Sequence, residues 1–211
     1  MHPFLSRLGV EQQVQEFFEP FYRVDDLGNL RFDYGDGAEH FGFAFHKVPL
    51  SQNFWMAGNP NFPQVRQVVI CASAMEAVSW LNNKQSAFRF FDGLLLLSAG
   101  AAVRDVHGHW LRKHLPNKEF RLVFGRDLLG RMADLKLSAA IRGWPLELYQ
   151  DGENVMVCFR SGVYSFSPDR FSLNAFEKAA KIRFGIPCDK PKGYDNYFDL
   201  LKAEAFPNSN F

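Results

Sequence analysis

The chain has 211 residues, of which 47% are hydrophobic and 22% charged, with a formal net charge of +1. This composition supports a sizeable core and excludes a disordered chain, while the near-neutral charge excludes a global attraction to nucleic acid or membranes. Three widely spaced cysteines, Cys71, Cys158 and Cys188, favour reduced thiols over a disulfide framework or a zinc site. The N-terminus carries no secretory-signal pattern, and the longest apolar run, residues 93–103, is far shorter than the ~20 residues that span a membrane. We therefore expect a cytoplasmic protein without a membrane partner.

Residues 1–62 predict an N-terminal helix followed by an antiparallel β segment. In residues 9–21, apolar side chains recur at helical spacing until Pro20 ends the pattern. The Asp-Asp-Leu-Gly-Asn sequence at 25–29 lies between two alternating runs, as in a β-hairpin. Residues 39–48 then alternate phenylalanine with small or polar residues, which is typical of a half-buried strand. The following residues, 51–63, are rich in Asn, Gly and Pro and predict a loop.

From residue 65 onward the chain alternates short apolar runs with segments of helical length. This alternation predicts βαβ units, and therefore a mostly parallel sheet with helices on both faces. We predict an α/β fold in which this second unit covers residues 63–205. The four apolar runs are residues 67–71, 93–98, 120–124 and 145–149.

Ligands of an open α/β sheet bind outside the carboxyl ends of its strands. Here the predicted strands lead into Ala72 and Ser73, residues 98–100, and residues 125–127, all of them small or polar. Two interpretations stay open for these residues. They permit close approach of a phosphate, or they form tight turns between strand and helix.

The order of these motifs resembles the Toprim domain of topoisomerases, primases and related nucleases, in particular the primase-like versions carried by mobile elements. The resemblance covers about residues 65–202, with an insertion near residues 151–190. It implies a Toprim-like (Rossmann-like), mostly parallel sheet flanked by helices. The segments that carry it are VVICASAMEAVSWL, GLLLLSAG, FRLVFGRDLLGRMAD, GWPLELY and KGYDNYFDLLK.

The chain departs from this family at its catalytic acids. The family has a glutamate after the first strand, thought to act as general acid/base, and an aspartate pair that holds magnesium. The matching positions here are Ala72 and Gly125, and Asp127 alone remains of the pair. Because magnesium needs carboxylates together with substrate oxygens, we expect no cofactor unless Asp127 gains a second carboxylate. Glu76 and Asp127 are candidates for displaced catalytic acids, and Asp127 is the candidate metal ligand.

Several cations and hydroxyls are candidates for binding phosphate. The planar guanidinium of Arg126 matches phosphate oxygens, but Arg126 and Asp127 could equally pair or cap the helix that begins at Leu128. Residues 104–118 form the one locally basic run, either a phosphate-attracting face or an ordinary solvated helix face. The candidates are Ser73, Ser98, Arg104, Arg112, Lys113, Arg126 and Arg131, and the candidates for exposed base-stacking rings are Tyr22, Tyr34 and His46.

The leading hypothesis is a catalytically degenerate Toprim-like protein, a nucleic-acid-binding accessory in DNA replication or mobilisation. In this hypothesis the chain is not an enzyme, since Ala72 and Gly125 replace the expected acids. Two alternatives stay open: an active magnesium-dependent nuclease or primase-type enzyme that uses displaced acids, and a protein-interaction module that retains only the scaffold. The expected partners are DNA or RNA, or a protein of a replication or mobilisation complex.

Overall fold

The N-terminal part of the chain folds into two short helices and an antiparallel sheet of four strands in the computed structural model, which describes residues 1–207. The antiparallel β segment predicted from the sequence is therefore present. Asp25 fixes the first turn of this sheet, because its carboxylate accepts hydrogen bonds from the backbone N–H groups of Leu27 and Asn29. The elements are α1 (Pro3–Arg7), α2 (Gln12–Phe18), β1 (Arg23–Val24), β2 (Leu30–Asp33), β3 (Ala38–Gly42) and β4 (Phe45–Lys47); 3₁₀ turns lie at Glu19–Phe21, Phe62–Gln64 and Gln85–Ala87.

Four strands form a mixed sheet at the centre of the fold: β5 (Trp55–Gly58), β6 (Gln67–Cys71), β7 (Leu94–Ser98) and β8 (Glu119–Val123). They lie in the order β5-β7-β6-β8. β6 runs parallel to β7 on one side and to β8 on the other, as the sequence predicts. The edge strand β5 runs antiparallel to β7 and comes from the segment that was predicted to be a loop. The central sheet is therefore mixed.

Helices cover both faces of the central sheet, as expected for βαβ units: α3 (Ala74–Lys84) follows β6, α4 (Asp105–His114) follows β7, and α5 (Leu128–Ile141) follows β8. Side chains of each strand alternate between the two faces. Val69 of β6 packs in the same core cluster as α3, whereas its neighbour Ile70 packs in the cluster of α4 and α5. Burial on both faces explains why these strands are continuous apolar runs. Within residues 1–207, no helix is both long and apolar enough to cross a membrane.

The segment after α5 forms a separate antiparallel sheet, which corrects the prediction for residues 145–149. They were predicted as a fourth parallel strand, but β9 (Leu146–Asp151) pairs antiparallel with β10 (Asn154–Phe159), which in turn pairs with β11 (Gly162–Phe166). This sheet and α6 (Leu173–Ala180) pack against α5 in a third core cluster. Glu147 in the middle of the run is exposed, and a strand covered on both faces would bury it.

A short extended segment lies beside β8, on the side where a fourth parallel strand would pair. The backbone N–H of Leu122 donates to the carbonyl oxygen of Pro187 at 2.9 Å, and the N–H of Asp189 donates to the carbonyl oxygen of Leu122 at 2.8 Å. These bonds form one parallel bridge, between Leu122 and Cys188. The chain then passes through an irregular segment to α7 (Tyr197–Ala205), which packs on α3.

The crossing of α4 and α5 depends on a glycine. Gly108 is buried on α4, and a Cβ atom added to it would overlap the Cβ of Ala140 on α5. One turn later on α4, the Arg112 guanidinium donates a hydrogen bond to the carbonyl oxygen of Ala140. The two helices are therefore held at a separation that leaves no room for a side chain at position 108.

We expect Gly108→Ala to lower the free energy of unfolding by about 1–3 kcal/mol through overpacking, although alanine normally stabilises a helix interior by ~1 kcal/mol relative to glycine. Urea denaturation measures the change. Lys113→Ala, on the exposed face of α4, is the control and should change stability by less than about 0.5 kcal/mol. The double variant Gly108→Ala/Ala140→Gly should recover part of the loss, and a stabilised single variant would contradict the close crossing.

Candidate functional site

A cleft of about 790 Å³ lies outside the carboxyl ends of β6, β7 and β8. The chain moves from β6 to β7 on one side and then crosses to β8 on the other side of β6, so the direction of strand addition reverses here. Such a switch point is where ligands bind in open α/β sheets. The cleft is lined by Ala72 and Ser73 after β6, by Gly100, Ala101, Ala102 and Val103 after β7, and by Phe124, Gly125 and Asp127 after β8.

A fully buried carboxylate from the N-terminal sheet reaches this edge of the central sheet. Glu39 of β3 accepts hydrogen bonds from the backbone N–H groups of Ala74 and Met75, at 2.7 and 3.1 Å, at the start of α3. The same carboxylate contacts the hydroxyl of Tyr34 at 2.9 Å and Nε2 of His46 at 2.8 Å. Glu39 therefore caps α3 and joins β3 to the central sheet.

Tyr34 extends this contact to the end of β7. Its hydroxyl lies 2.6 Å from Oγ of Ser98, which is itself fully buried and is not among the residues that line the cleft. Burial raises the pKa of Tyr34 well above its usual range. The prediction that Tyr34 is exposed for base stacking is wrong, because the ring is 2% exposed. Tyr22 and His46 are half-buried, and His46 borders the cleft.

Glu76 is a second buried carboxylate that caps a helix. It accepts hydrogen bonds from the backbone N–H groups of Tyr197 and Phe198, at 2.8 and 3.0 Å, at the start of α7. Its own N–H donates to Oγ of Ser73, the N-cap of α3, at 3.0 Å. Burial raises the pKa of Glu76 to about 7, against the lowering effect of its two N–H donors. Ser73 and Glu76 both line the cleft, and both are occupied as helix caps.

Asp127 caps the third helix that begins at the cleft. Its Oδ1 accepts a hydrogen bond from the N–H of Gly130 at 2.8 Å, so it is the N-cap of α5. A Cβ at Gly130 would collide with the backbone of Gly125, so glycine is required for the first turn of α5 to lie against the end of β8. The turn before α5 therefore has the geometry of a helix cap. Capping is one of the two interpretations that the sequence leaves open for Asp127.

Lys190 binds the end of β8 from a distant part of the chain. Its ammonium group donates to the carbonyl oxygens of Phe124 and Gly125, at 2.6 and 3.0 Å, and lies 2.7 Å from Oδ2 of Asp134. Asp134 is 3% exposed. Burial raises the pKa of Asp134 to about 6, against the opposing effect of the Lys190 charge.

The residues at the end of β8 do not fit a magnesium ion. Asp127 is bonded to a helix N-terminus, position 125 has no carboxylate, and the positive charge of Lys190 already lies on the carbonyl oxygen of Gly125. A fixed cation there repels a second cation. Within residues 1–207, no three His, Cys, Asp or Glu side chains are grouped so that they could hold a metal ion.

The predicted phosphate-binding arginines near the cleft bind protein carbonyls instead. The Arg126 guanidinium donates to the carbonyl oxygens of Pro191, at 2.7 Å, and Tyr194, at 3.1 Å. Arg131 donates to the carbonyl oxygen of Phe171 at 3.0 Å. Both side chains thus fix later segments of the chain onto the first turn of α5.

Three further candidates lie on the exposed surface of α4. Arg104 precedes its first residue, while Arg112 and Lys113 lie in its last turn, and all three are exposed. The placement in the last turn suits the partial negative charge of a helix C-terminus. None of the three lines the cleft, but Arg104 lies between two lining residues, Val103 and Asp105, whereas Arg112 and Lys113 lie at the other end of α4.

Sequence reasoning missed two charged groups of this site, Glu39 and Lys190. A sequence pattern could have indicated Glu39, because it shares a strand face with the buried Phe41, and an acid on the inward face of a strand needs buried partners. No sequence pattern indicates Lys190, since it follows an irregular segment and contacts residues 65 and 66 positions earlier in the chain.

Comparisons of this chain with protein-family models, curated proteins and solved structures find no match. The geometry of the cleft and the charges on the surface are therefore what indicate a function. Two carboxylates that line the cleft, Glu76 and Asp127, and the buried Glu39 beside it each accept backbone N–H donors of a helix start.

The raised pKa of Glu76 predicts a pH dependence of stability. The folded protein retains a proton that the unfolded chain releases, so the contribution of Glu76 to the free energy of unfolding is present below pH 4.5 and is lost as pH rises to about 7. We expect urea denaturation of the wild type to lose about 1–3 kcal/mol relative to Glu76→Gln between these pH values. The exposed Glu153→Gln is the control and should follow the wild type. Parallel pH profiles of the wild type and Glu76→Gln would contradict the assignment.

The Lys190–Asp134 pair generates a second prediction. Lys190→Met should lower the free energy of unfolding by about 3–5 kcal/mol, because it leaves the buried Asp134 carboxylate without its ammonium partner. The double variant Lys190→Met/Asp134→Leu should recover much of the loss in chemical denaturation. Lys192→Met, at an exposed position two residues later, is the control. A single variant as stable as the wild type would show that the pair is not ionised.

Proposed function

We propose that this chain is a catalytically degenerate Toprim-like protein that acts as a nucleic-acid-binding accessory in DNA replication or mobilisation. The observation that carries the proposal is that the carboxylates at the cleft, and a buried one beside it, are occupied as helix caps. Glu39, Glu76 and Asp127 accept backbone N–H groups at the starts of α3, α7 and α5. A carboxylate fixed in this way is a poor candidate for a metal ligand or a general base, which must reach the substrate.

The arrangement of the central strands supports the Toprim-like part of the proposal. The parallel strands β6, β7 and β8 bring the ends of the resembling motifs together at one edge. The glycine of the Gly-Arg-Asp-Leu-Leu-Gly turn, Gly130, is required by the close approach to Gly125. In this proposal the turn is retained because α5 needs it to pack against the end of β8, although position 125 no longer carries an aspartate.

The exposed cations of α4 support nucleic-acid binding. Arg112 and Lys113 are adjacent and exposed, and Lys118 follows one turn beyond the helix. Lysine and arginine on one surface attract phosphates, and the attraction falls steeply with salt because bound counterions are released. The net charge of +1 requires such binding to be local.

Binding of labelled single- and double-stranded DNA, measured by fluorescence anisotropy at several salt concentrations, tests this function. We expect Lys113→Ala to weaken binding roughly two- to fivefold for any sequence, and to reduce the salt slope by about one for duplex DNA. Arg170→Ala removes an exposed cation elsewhere and is the matched control.

Three outcomes would contradict the proposal. If neither form of DNA shows salt-dependent binding, the proposed nucleic-acid function is wrong. If the control and the α4 variant weaken binding equally, α4 is not the binding surface. Magnesium- or manganese-dependent cleavage that is lost in both Asp127→Asn and Glu76→Gln would instead support an enzyme with displaced acids.

A further inference from the structure

One wall of the cleft is the open edge of a β-strand. β9 is the last strand of its sheet and, within the described chain, pairs with β10 alone. Four consecutive residues of β9, Leu146 to Tyr149, line the cleft. Successive side chains of a strand point to opposite faces, so four consecutive lining residues mean that the backbone edge itself borders the cleft. Unpaired backbone N–H and C=O groups on such an edge are a template for another strand.

The other walls of the cleft are largely apolar. Leu129 at the start of α5 is 71% exposed and Tyr149 on β9 is 45% exposed, although both are large apolar side chains. Small or apolar side chains, among them Ala101, Val103 and Met132, also line the cleft. This surface offers positions for apolar side chains beside an open strand edge.

The charge of the cleft is negative. Its lining includes the carboxylates of Asp105, Asp127 and Glu147, against the single lysine Lys136, which pairs with Asp105 at 3.0 Å. The helix starts at the cleft would ordinarily attract an anion. Here Glu39, Glu76 and Asp127 already occupy those N–H groups, so the remaining attraction is for a positive group.

We propose that the cleft binds an extended segment of a partner protein in which apolar and basic side chains alternate, and that this segment pairs with the open edge of β9. The backbone of the segment adds a strand to the sheet, which is a general mode of peptide recognition. Its apolar side chains lie on the same face of the sheet as Leu146 and Leu148, and its basic side chains lie on the opposite face, beside Glu147 and Tyr149. This site lies at the other end of α4 from Arg112 and Lys113, so it does not depend on nucleic-acid binding.

A labelled eight-residue peptide in which lysine alternates with valine tests the proposal by fluorescence anisotropy on the full chain. We expect saturable binding that weakens with salt, together with slower amide hydrogen exchange in β9 residues 146–149. Glu147→Lys should weaken binding roughly tenfold, because it reverses a charge on the bound edge. Glu153→Lys makes the same change at an exposed turn position outside the cleft lining, and should leave the affinity unchanged.

Two further peptides separate the parts of the inference. A peptide with glutamate in place of lysine should bind at least about tenfold more weakly, because the cleft is acidic. A peptide with proline at two central positions should also lose affinity, because proline removes the N–H groups needed for strand pairing.

The proposal is overturned if the basic peptide does not bind at millimolar concentration, or if the basic and acidic peptides bind equally. It is also overturned if Glu147→Lys and Glu153→Lys weaken binding to the same extent, or if exchange in β9 is unchanged at saturation. Duplex DNA added to the complex should not displace the peptide. Displacement would place the two ligands on one surface and contradict a separate peptide site.

Discussion

The buried carboxylate of Glu39 is the contact on which the arrangement of the cleft depends. A carboxylate without exposure to water is stable only when its oxygens are bonded, and Glu39 has four polar partners. Two of them are the first N–H groups of α3, and the third is Tyr34, which reaches Ser98 at the end of β7. The N-terminal sheet is thereby attached to two neighbouring strand ends of the central sheet.

The same physical solution recurs around the cleft. A helix start leaves backbone N–H groups without partners, and the chain supplies Glu76 to α7 and Asp127 to α5. At the end of β8 the complementary problem arises, because carbonyl oxygens need donors, and Lys190 supplies them. Charges at this edge are therefore satisfied by the protein itself.

The structure separates two surfaces of opposite character. The cleft combines an acidic lining with apolar walls and the open edge of β9, whereas α4 exposes Arg112 and Lys113 away from it. One surface suits a basic peptide and the other suits phosphates.

The sequence by itself determined the elements that depend on neighbouring residues. The apolar runs of β6, β7 and β8 and the helices between them were readable, because periodicity and turn chemistry act over a few residues. Tertiary structure alone decided which strands pair and which charges meet. It placed residues 145–149 in a separate sheet, and it brought Glu39 to α3 and Lys190 to β8 across 35 and 66 residues of chain. A buried charge is satisfied by whichever group the fold brings near, and no local pattern records that partner.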